Sequence, residues 1–378
     1  MNIAQISTRY PPAPGGVETY VKETTSLLKK KGHLVDVYAS NLYTEIPWKK
    51  LENNGNEAYR VRAFSMPGEM HYPVLPSLIY KPLLKKYDII HVHTFGTFQA
   101  TLIPWYKKLG RKVVLSSHYH PPESMWGGQK RMGLRLFYDK HIAKYTIKNS
   151  DAIIVESEYE KKEILKFYEK AKVKIIPPGT DISWLMKERH CEFKKSLGIS
   201  NKYLLYVGRI ASNKGLYDLL NAFKIIQKKI DLSLVIAGPD SGLLGNLKEK
   251  IYKEGIQNVY LTGYLSQDQL ACAYKEAFAF VFPSHFEAFG LVLLDAMATG
   301  LPVITTSAGG IPDVVSNKEG ILVQPGNWNE LVNAIEQLYD NEELRNQYIK
   351  NSIAKVKYYT WDRVVSDLEK LYAEVINQ

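Results

Sequence analysis

The sequence contains very little cysteine, and this scarcity argues against several kinds of protein. Cys191 and Cys272 are the two cysteines among 378 residues. They are too few for a framework of disulfides, and they do not form the closely spaced pair that is typical of a zinc site. The composition therefore predicts a protein of a reducing, cytoplasmic compartment.

Long apolar runs are also missing. The first residues, MNIAQIS, have no cationic segment ahead of a long apolar stretch, so they predict a first strand and not a signal peptide. No run approaches the ~18 apolar residues that a membrane-spanning helix needs. We therefore expect neither secretion nor insertion into a membrane.

Common catalytic and metal-binding motifs are absent as well. The sequence has no Asp-x-Asp pair and no His-x-x-x-His or His-Glu-x-x-His helix, so no metal is predicted. It has neither a Gly-x-Ser-x-Gly elbow nor a Gly-x-x-x-x-Gly-Lys-[Ser/Thr] phosphate loop. Any charge that develops on a leaving group would then be balanced by cationic side chains and backbone amides.

The net charge of +10 is concentrated in the first half of the chain. Residues 1–198 contain 32 lysines and arginines against 19 acidic residues, whereas residues 199–378 contain 17 against 20. A basic half beside a near-neutral half suggests that one half contacts an anionic surface or acceptor. An abundance of solvated lysine explains the same numbers equally well.

Short β-type runs alternate with helical patterns in two series. Short, apolar, β-branched runs separated by helices are typical of buried parallel strands, so each half is predicted to be a doubly wound α/β unit. The first series is Asn2–Ser7, Leu34–Ala39, Ile89–His93, Lys112–Ser116, Ala152–Val155 and Val173–Ile176. The second is Tyr203–Val207, Ser233–Ala237, Val259–Thr262, Ala279–Phe282, Pro302–Thr305 and Gly320–Val323.

A stretch of turn residues without a clear period separates the two series. We place the domain boundary near Gly198–Lys202, which predicts domains at 1–198 and 199–360. The last segment, 361–378, has the apolar spacing of an amphipathic helix, with Thr360 as its N-cap.

The first strand of each half is followed by residues suited to binding an anion. Gly15 and Gly16 precede a helix, so a diphosphate could approach the backbone amides at the helix start. Arg209 and Lys214 follow the first strand of the second half, in VGRIASNKG. Because open α/β sheets bind ligands at the carboxyl ends of their strands, these cations are placed to hold a nucleotide diphosphate. An ordinary turn and two solvated cations are the alternatives.

Two carboxylates stand in the segment PSHFEAFGLVLLDAMATGLPVI. Glu287 comes just after a predicted strand, where it can hydrogen-bond sugar hydroxyls. Asp295 lies about two helical turns further on, where it can accept hydrogen bonds from a ribose diol. Gly290, near the helix start, leaves backbone amides accessible. A helix with one capping and one exposed acid explains the spacing equally well.

Histidines end two strands of the first half. His118 follows the strand Lys112–Ser116 in SSHYHPP, but a lone histidine is more often structural than catalytic. His91 and His93 lie in IIHVHTF, and we interpret them as core histidines with satisfied hydrogen bonds.

These segments together resemble the retaining glycosyltransferases of the GT-B fold, family 4, over essentially the whole chain. The resemblance is carried by the order and spacing of PPAPGGVE, SSHYH, VGRIASNKG, IAGPDSG, LTGYLS and FPSHFEAFGLVLLDAMATGLPVITTSAGGIPDVV. It implies two Rossmann-like domains facing each other across a cleft, with the C-terminal helix crossing back onto the first. It implies a hexose moved, without a metal, from a UDP- or GDP-linked donor to a glycan or lipid-linked acceptor.

The resemblance also implies roles for the matching residues. Gly16, beside Gly15, would offer its backbone amide to the diphosphate, and His118 would contact the donor sugar near its anomeric carbon. Arg209 and Lys214 would clamp the diphosphate. These side chains, together with Glu287, are thereby expected to meet in one crevice.

Further implied contacts involve the sugar, the ribose and the base. Glu287 would hydrogen-bond the transferred sugar beside the backbone amides of Phe289 and Gly290. The family usually has glutamate where this chain has Asp295, so the ribose contact is expected to be altered or bridged by water. The base would meet main-chain atoms of Tyr264 and Leu265, and Gly238 would keep a strand end open for the nucleotide.

The resemblance assigns acceptor recognition to the basic first half. The segment MWGGQKRMGLRLFYDKHIAKYTIK interleaves cations with apolar residues, as at the interface of an anionic membrane. We therefore expect a cytoplasmic enzyme, peripheral at the inner face of the membrane, with no nucleic-acid partner. A solvated helix covering the sheet is the alternative. The residues concerned are Lys130, Arg131, Arg135, Lys140, Lys144 and Lys148, with Trp126, Leu134, Leu136 and Phe137.

Three other functions fit parts of the pattern. A nucleotide-sugar epimerase can share the two-domain architecture, but it would convert a donor without an acceptor. A nucleic-acid-binding protein would explain the basic half, yet no aromatic ribonucleoprotein motif or zinc-finger spacing is present. A relative that only binds nucleotide is opposed by the intact Arg209, Lys214 and Glu287.

Overall fold

The computed structural model describes residues 1–13, 15–42, 58–64, 73–122 and 129–378, with only the backbone of 129–131. The chain divides into two compact units. The first unit is Met1–Gly179 together with Thr360–Gln378, and the second unit is Thr180–Tyr359. Each has a parallel sheet flanked by helices, which confirms the predicted α/β fold class.

The sheet of the first unit has seven strands in the order β3-β2-β1-β4-β5-β6-β7 within the described residues. All its pairings are parallel. The six strands predicted for this half are present, and β3 was not predicted. The strands are β1 (Asn2–Ile6), β2 (Leu34–Ser40), β3 (Ala58–Val61), β4 (Ile89–His93), β5 (Val113–Ser116), β6 (Ala152–Val155) and β7 (Val173–Ile175).

Helices cover both faces of this sheet because successive strand side chains point to opposite sides. One face packs against α1 (Gly16–Lys30) and α16 (Trp361–Ile376). The other packs against a layer of helices and 3-10 turns. This layer contains turns at Pro76–Ile79 and Lys81–Leu83, with α2 (Phe98–Thr101), α3 (Ile103–Lys108), α4 (Gln129–His141), α5 (Ala143–Lys148) and α6 (Glu158–Phe167).

The second unit has a six-stranded parallel sheet in the order β10-β9-β8-β11-β12-β13. All six strands were predicted. They are β8 (Lys202–Val207), β9 (Leu232–Ala237), β10 (Val259–Gly263), β11 (Ala279–Phe282), β12 (Val303–Thr306) and β13 (Gly320–Val323). The helices are α7 (Ser183–Met186), α8 (Phe193–Ser196), α9 (Leu216–Ile226), α10 (Leu244–Lys253), α11 (Gln267–Glu276), α12 (Leu291–Ala298), α13 (Ile311–Val314), α14 (Trp328–Asp340) and α15 (Glu342–Val356).

The division between the units falls between Gly179 and Thr180, earlier than the predicted boundary near residue 198. The intervening segment is no free linker, because it forms α7 and α8. Leu185, Phe193 and Ile199 from this segment lie in the hydrophobic core of the second unit. The segment therefore belongs to the second unit.

The C-terminal helix α16 belongs to the first unit, as the resemblance implied. Thr360 caps it as predicted, because its side-chain oxygen accepts the N–H of Arg363 at 3.3 Å. The apolar face of α16 packs against α1 and one face of the sheet. The buried side chains of this helix are Trp361, Val364, Val365, Leu368, Leu371, Tyr372 and Val375.

The two cysteines form a disulfide, which the sequence did not predict. Cys191 lies just before α8, Cys272 lies on α11, and the two helices are in contact. Folding brings the Cα atoms within 5.2 Å across a separation of 81 residues. The prediction of a reducing compartment rested on the scarcity of cysteine, and this disulfide removes that support.

None of the helices in the described residues combines the length and the apolar character that crossing a membrane requires.

Candidate functional site

An ion pair joins two loops at the carboxyl ends of neighbouring strands in the second unit. Lys214 ends a 3-10 turn after β8, and Glu287 follows β11. The Lys214 ammonium donates to Glu287 Oε1, and the lysine is 8% exposed. Since parallel strands β8 and β11 are paired, two residues separated by 73 positions meet at one edge of the sheet. This is the edge at which open α/β sheets bind ligands.

A buried serine connects the same two loops. Ser284 Oγ lies 3.3 Å from the carbonyl oxygen of Asn213 and 3.1 Å from Glu287 Oε1. The backbone N–H of His285 donates to Asn213 O at 2.9 Å. Sequence reasoning did not single out Ser284, although a serine directly after a strand-ending proline is a signal that could have been used. These contacts fix the relative positions of the two loops that carry Lys214 and Glu287.

The loop after β12 contacts the backbone of Glu287. The Gly310 N–H donates to the Glu287 carbonyl oxygen at 2.9 Å. Gly309 has φ +56°, and a Cβ there would lie 2.2 Å from the same oxygen, so only glycine fits. The glycines of TTSAGGIP therefore fix the backbone that carries the carboxylate.

Arg209 lies on the same loop as Lys214, as predicted, and its side chain is exposed. Its carbonyl oxygen accepts the hydroxyl of Tyr206 at 3.0 Å. Gly215, which ends the loop, has φ +65°, and a Cβ there would lie 1.9 Å from Pro283 O. The backbones of the two loops are thus packed directly against each other.

Asp295 lies on α12, and its Oδ1 accepts a hydrogen bond from Thr180 Oγ1 at 3.2 Å. Burial raises the pKa of Asp295 to about 7. Gly290 precedes the helix with φ +94°, and Phe289 is buried with its ring 5.6 Å from that of Tyr359. The short side chain of Asp295 is thus held within its own unit by the first residue of that unit.

Three further predicted residues lie at strand ends of the second unit. Tyr264 follows β10 with its side chain 81% exposed, and Leu265 beside it is half-buried. Gly238 follows β9, and a Cβ there would lie 1.9 Å from the carbonyl oxygen of Gly208. Close packing of the β8 and β9 ends therefore requires glycine at 238, independently of any nucleotide.

The glycine loop of the first unit is held by buried charged side chains. α1 begins at Gly16, preceded by Gly15. Glu18 on the first turn is buried and pairs with Arg9 at 2.6 Å. Burial raises the pKa of Glu18, and the positive charge of Arg9 opposes that rise. The buried guanidinium of Arg60, a residue that the sequence did not single out, donates to Tyr10 O at 3.3 Å.

His118 lies in the first unit, two residues after β5, with φ +42° and 6% exposure. Its Nδ1 lies 2.7 Å from Glu156 Oε1, and its Nε2 lies 3.4 Å from His93 Nδ1. Both ring nitrogens therefore face partners inside the first unit. Glu156 was missed from sequence because nothing in its own segment indicates a histidine partner.

The interpretation of His91 and His93 as core histidines is confirmed. Both are fully buried. His91 bonds to Tyr372 at 2.7 Å and to Ser116 at 2.8 Å, which connects β4 with the C-terminal helix. Burial lowers the pKa of His91 to about 3, so its ring is neutral.

The candidate residues thus form one set in each unit. Arg209, Lys214, Glu287 and Asp295 lie in the second unit, and His118 lies in the first with the glycine loop. Their predicted meeting in one crevice stays a prediction. Among the described residues no group of three or more histidine, cysteine or acidic side chains is placed to bind a metal.

The basic and apolar segment predicted at the membrane is described in part. Trp126 lies outside the described residues, as do the side chains of Lys130 and Arg131. Arg135 is wrong as a surface cation, because it is buried, pairs with Asp139 at 2.7 Å and lies over two aromatic rings. The side chains exposed as expected are Leu134, Leu136, Phe137, Lys140, Lys144 and Lys148.

Two family models match the chain. The glycosyl transferases group 1 model matches residues 191–355, and the glycosyltransferase family 4 model matches residues 14–184. One model thus matches most of the first unit and the other most of the second, and the gap between them lies in the segment of α7 and α8.

Similar proteins agree with these matches. An uncharacterised glycosyltransferase of Methanocaldococcus jannaschii is 29% identical, over 98% of each chain. A D-inositol 3-phosphate glycosyltransferase of Corynebacterium jeikeium is 26% identical, over 99% of this chain and 97% of its own. These relatives match over nearly their full length.

Solved structures share the fold. A sucrose-phosphate synthase of Thermosynechococcus elongatus superposes with a TM-score of 0.81 at 22% identity, covering 100% of this chain and 99% of its own. Anabaena HepE in complex with UDP-glucose gives 0.78 at 18% identity, covering 99% of this chain and 100% of its own.

Proposed function

This chain belongs to the family 4, group 1 glycosyltransferases, and we propose that it transfers a hexose, with retention of configuration, from a UDP- or GDP-linked donor to a glycan or lipid-linked acceptor. The reaction is proposed to need no metal. The glycosyltransferase activity follows from the family, whereas the donor, the stereochemistry and the acceptor are the proposed parts.

The Lys214–Glu287 pair is the observation that supports the proposal most. A buried ammonium beside a carboxylate supplies a cation for a diphosphate and an acceptor for sugar hydroxyls a few ångströms apart. Ser284 and the Gly310 N–H fix the carboxylate loop before any ligand arrives. Such preorganised charges stabilise a developing negative charge at little cost in reorganisation.

The proposed chemistry uses these groups to stabilise the leaving diphosphate. Lys214 and Arg209 bind the diphosphate oxygens as the bond to the anomeric carbon breaks. The phosphate oxygen that leaves accepts the proton of the incoming hydroxyl on the same face of the sugar. Glu287 positions the sugar and is not required to act as a nucleophile, so no covalent glycosyl-enzyme is expected.

A panel of nucleotide sugars tests the donor. UDP- and GDP-linked hexoses are incubated singly with the protein, and slow release of UDP or GDP and protection against thermal unfolding are measured. We expect one donor to show both effects, with an α-linked donor first releasing the free sugar as its α anomer. Conversion of a donor into its epimer without any acceptor would instead favour an epimerase.

The proposed acceptor side is part of the helical layer over one face of the first unit, namely residues 73–87, 94–111 and 129–148. Exposed apolar side chains are concentrated there. Trp105 on α3 bonds through its indole N–H to Ile79 O, which joins two of the exposed segments. The exposed set is Val74, Ile79, Tyr80, Leu84, Trp105, Leu109, Met132, Leu134, Leu136, Phe137 and Tyr145.

Positive charge accompanies these apolar side chains. The first unit contains 30 lysines and arginines against 20 acidic residues, whereas the second contains 19 of each. The helical layer itself carries exposed Lys86, Lys108, Lys140, Lys144 and Lys148. Exposed apolar side chains among cations suit an anionic lipid surface, to which each nearby cation contributes roughly 1 kcal/mol. We therefore propose a peripheral enzyme at the inner membrane face.

Co-sedimentation with vesicles tests the lipid surface. We expect binding to phosphatidylcholine vesicles that contain phosphatidylglycerol and little binding to phosphatidylcholine alone. Leu84→Glu and Phe137→Glu should each weaken the binding. Leu34→Glu is the matched control, because Leu34 is 72% exposed in the same unit but lies outside the helical layer. Equal partitioning onto both vesicle types would contradict the electrostatic proposal.

A further inference from the structure

The partners of His118 determine where its protons lie. Nδ1 is 2.7 Å from the Glu156 carboxylate, and Nε2 is 3.4 Å from Nδ1 of His93. The two imidazole rings are nearly parallel, with centroids 5.7 Å apart. The protonation of His118 therefore depends on whether His93 Nδ1 donates or accepts a hydrogen bond. That role is set by the partner of the other ring nitrogen, His93 Nε2.

His93 is held in one tautomer by Gln5. His93 Nε2 lies 2.7 Å from Gln5 Oε1, and an amide oxygen can only accept, so this nitrogen carries a hydrogen. The orientation of the Gln5 amide is set by Thr24, whose Oγ1 gives its hydrogen to Tyr20 O at 2.7 Å and accepts from Gln5 Nε2 at 3.5 Å. Burial lowers the pKa of His93, so its ring is neutral and its Nδ1 carries a lone pair.

Both nitrogens of His118 thus face acceptors. Glu156 accepts at Nδ1, and the lone pair of His93 Nδ1 accepts at Nε2. A neutral imidazole has one N–H and would leave one of these acceptors facing a lone pair. The hydrogen bonds are complete when His118 carries a hydrogen on each nitrogen and is therefore positively charged.

The charges around His118 favour the same state. Burial alone lowers the pKa of His118, but the hydrogen bond and charge of Glu156, with Glu160 and Glu18, raise the pKa above its ordinary value. Burial raises the pKa of Glu160 to about 7. Burial also raises the pKa of Glu18 above its ordinary value. Glu156 is therefore the carboxylate that does most to stabilise the charged form of His118. The His93 ring on the other side of His118 is neutral.

The backbone around the pair is braced by Glu160 on α6. Its two carboxyl oxygens accept the N–H of Tyr119 and the N–H of Glu156, both at 2.6 Å. The residue after His118 and the residue that binds it are thereby tied to one side chain. Ser157 caps the same helix by accepting the Glu160 N–H at 3.1 Å. The backbone positions of both residues are therefore fixed.

We propose that Glu156 is a positioning residue that holds His118 as an imidazolium, so that His118 is a fixed cation and not a proton acceptor. The part of this inference that concerns sugar transfer rests on the proposed function. The protonation state itself does not, and it can be measured without any donor.

Nitrogen NMR of protein labelled at its histidines tests the protonation state directly. A His118→Asn variant identifies the His118 signals among the nine histidines. We expect the wild-type ring to show two protonated nitrogens at pH 7. Glu156→Gln should lower the pKa of His118 by about 1–3 units, because an opposing charge is removed. A neutral wild-type ring at pH 7, or an unmoved pKa in Glu156→Gln, would overturn the proposal.

The pH dependence of kcat/KM separates a cation from a general base. If the imidazolium is required, Glu156→Gln should lose activity progressively between pH 6 and pH 8, and Glu156→Asp should recover part of it. If His118 accepted a proton, the lowered pKa would raise activity on the acidic side, and that outcome contradicts the proposal. Glu158→Gln is the control, because Glu158 is an exposed residue of the neighbouring helix α6. Absence of transfer from every donor would refute the proposed function while the NMR result still decides the protonation state.

Discussion

At the scale of single residues, Lys214 is the cation whose loss should affect transfer most. It is 8% exposed and held by Glu287, so a diphosphate binding there meets a desolvated charge. We expect Lys214→Ala to lower kcat/KM about 100-fold, or ~3 kcal/mol, as for loss of one preorganised donor. Initial rates with the donor identified from the panel measure this. Lys228→Ala, at an exposed position of the same unit, should leave the rate unchanged. A loss below threefold in Lys214→Ala would remove the lysine from the site.

Asp295 should make stability depend on pH. Its pKa is raised to about 7 in the folded protein, against about 4 when unfolded. Between these values the folded state binds a proton that the unfolded chain has lost, so the free energy of unfolding falls as pH rises from 4 to 7. Asparagine carries no charge there. We therefore expect Asp295→Asn to be more stable than the wild type at pH 8, by on the order of 2 kcal/mol, with a smaller gain at pH 5.

Urea unfolding at the two pH values measures the difference for Asp295→Asn. Asp340→Asn, at the end of α14 and exposed on the surface, is a control for the change of residue type. An equal shift of the midpoint at pH 5 and pH 8 would mean that Asp295 is charged throughout this range.

The residues that sequence could identify differ in kind from those it missed. Lys214 and Glu287 carry their signal locally, as a charge at a strand end in a recognisable segment. Glu156 acts on a histidine 38 positions away, so its own segment gives no indication of a role. Ser284 has a local signal in the proline before it, but its contact with Asn213, 71 positions away, shows only in the structure. The prediction of Arg135 as a surface cation was wrong for a related reason. Its side chain is buried because it pairs with Asp139 at i+4 and lies over two aromatic rings.

At the scale of elements, α16 should stabilise the first unit specifically. Leu368 is fully buried between the helix and the sheet, and its truncation leaves a cavity. We expect Leu368→Ala to lower the stability of the first unit by about 2–5 kcal/mol. Hydrogen exchange followed by mass spectrometry measures the protection of each strand. Glu374→Ala, on the exposed face of the same helix, should change little. A loss of protection that is equal in both units would contradict this assignment.

The elements were predicted better than the boundary between them. Strands of a parallel sheet are buried on both faces, so their apolar runs are visible in the sequence wherever they occur. β3 was missed because AYRV is four residues long and includes the buried Arg60. The segment that forms α7 and α8 was interpreted as a linker because short helices leave no periodic pattern, although Leu185 and Phe193 enter a core.

At the scale of the whole molecule, the two units should respond differently to nucleotide. Arg209, Lys214 and Asp295 are all in the second unit, so free UDP or GDP is expected to stabilise that unit more than the first. At a concentration of about 100 times Kd the gain is ~2.7 kcal/mol, because binding to the folded state shifts the unfolding equilibrium. The loops after β8 and β11 should show the largest increase in protection against hydrogen exchange. UDP and GDP are compared separately, and the preferred nucleotide should lose most of its effect in Lys214→Ala. Protection confined to the first unit would place the nucleotide at the glycine loop, and the roles assigned to Lys214 and Arg209 would then be wrong.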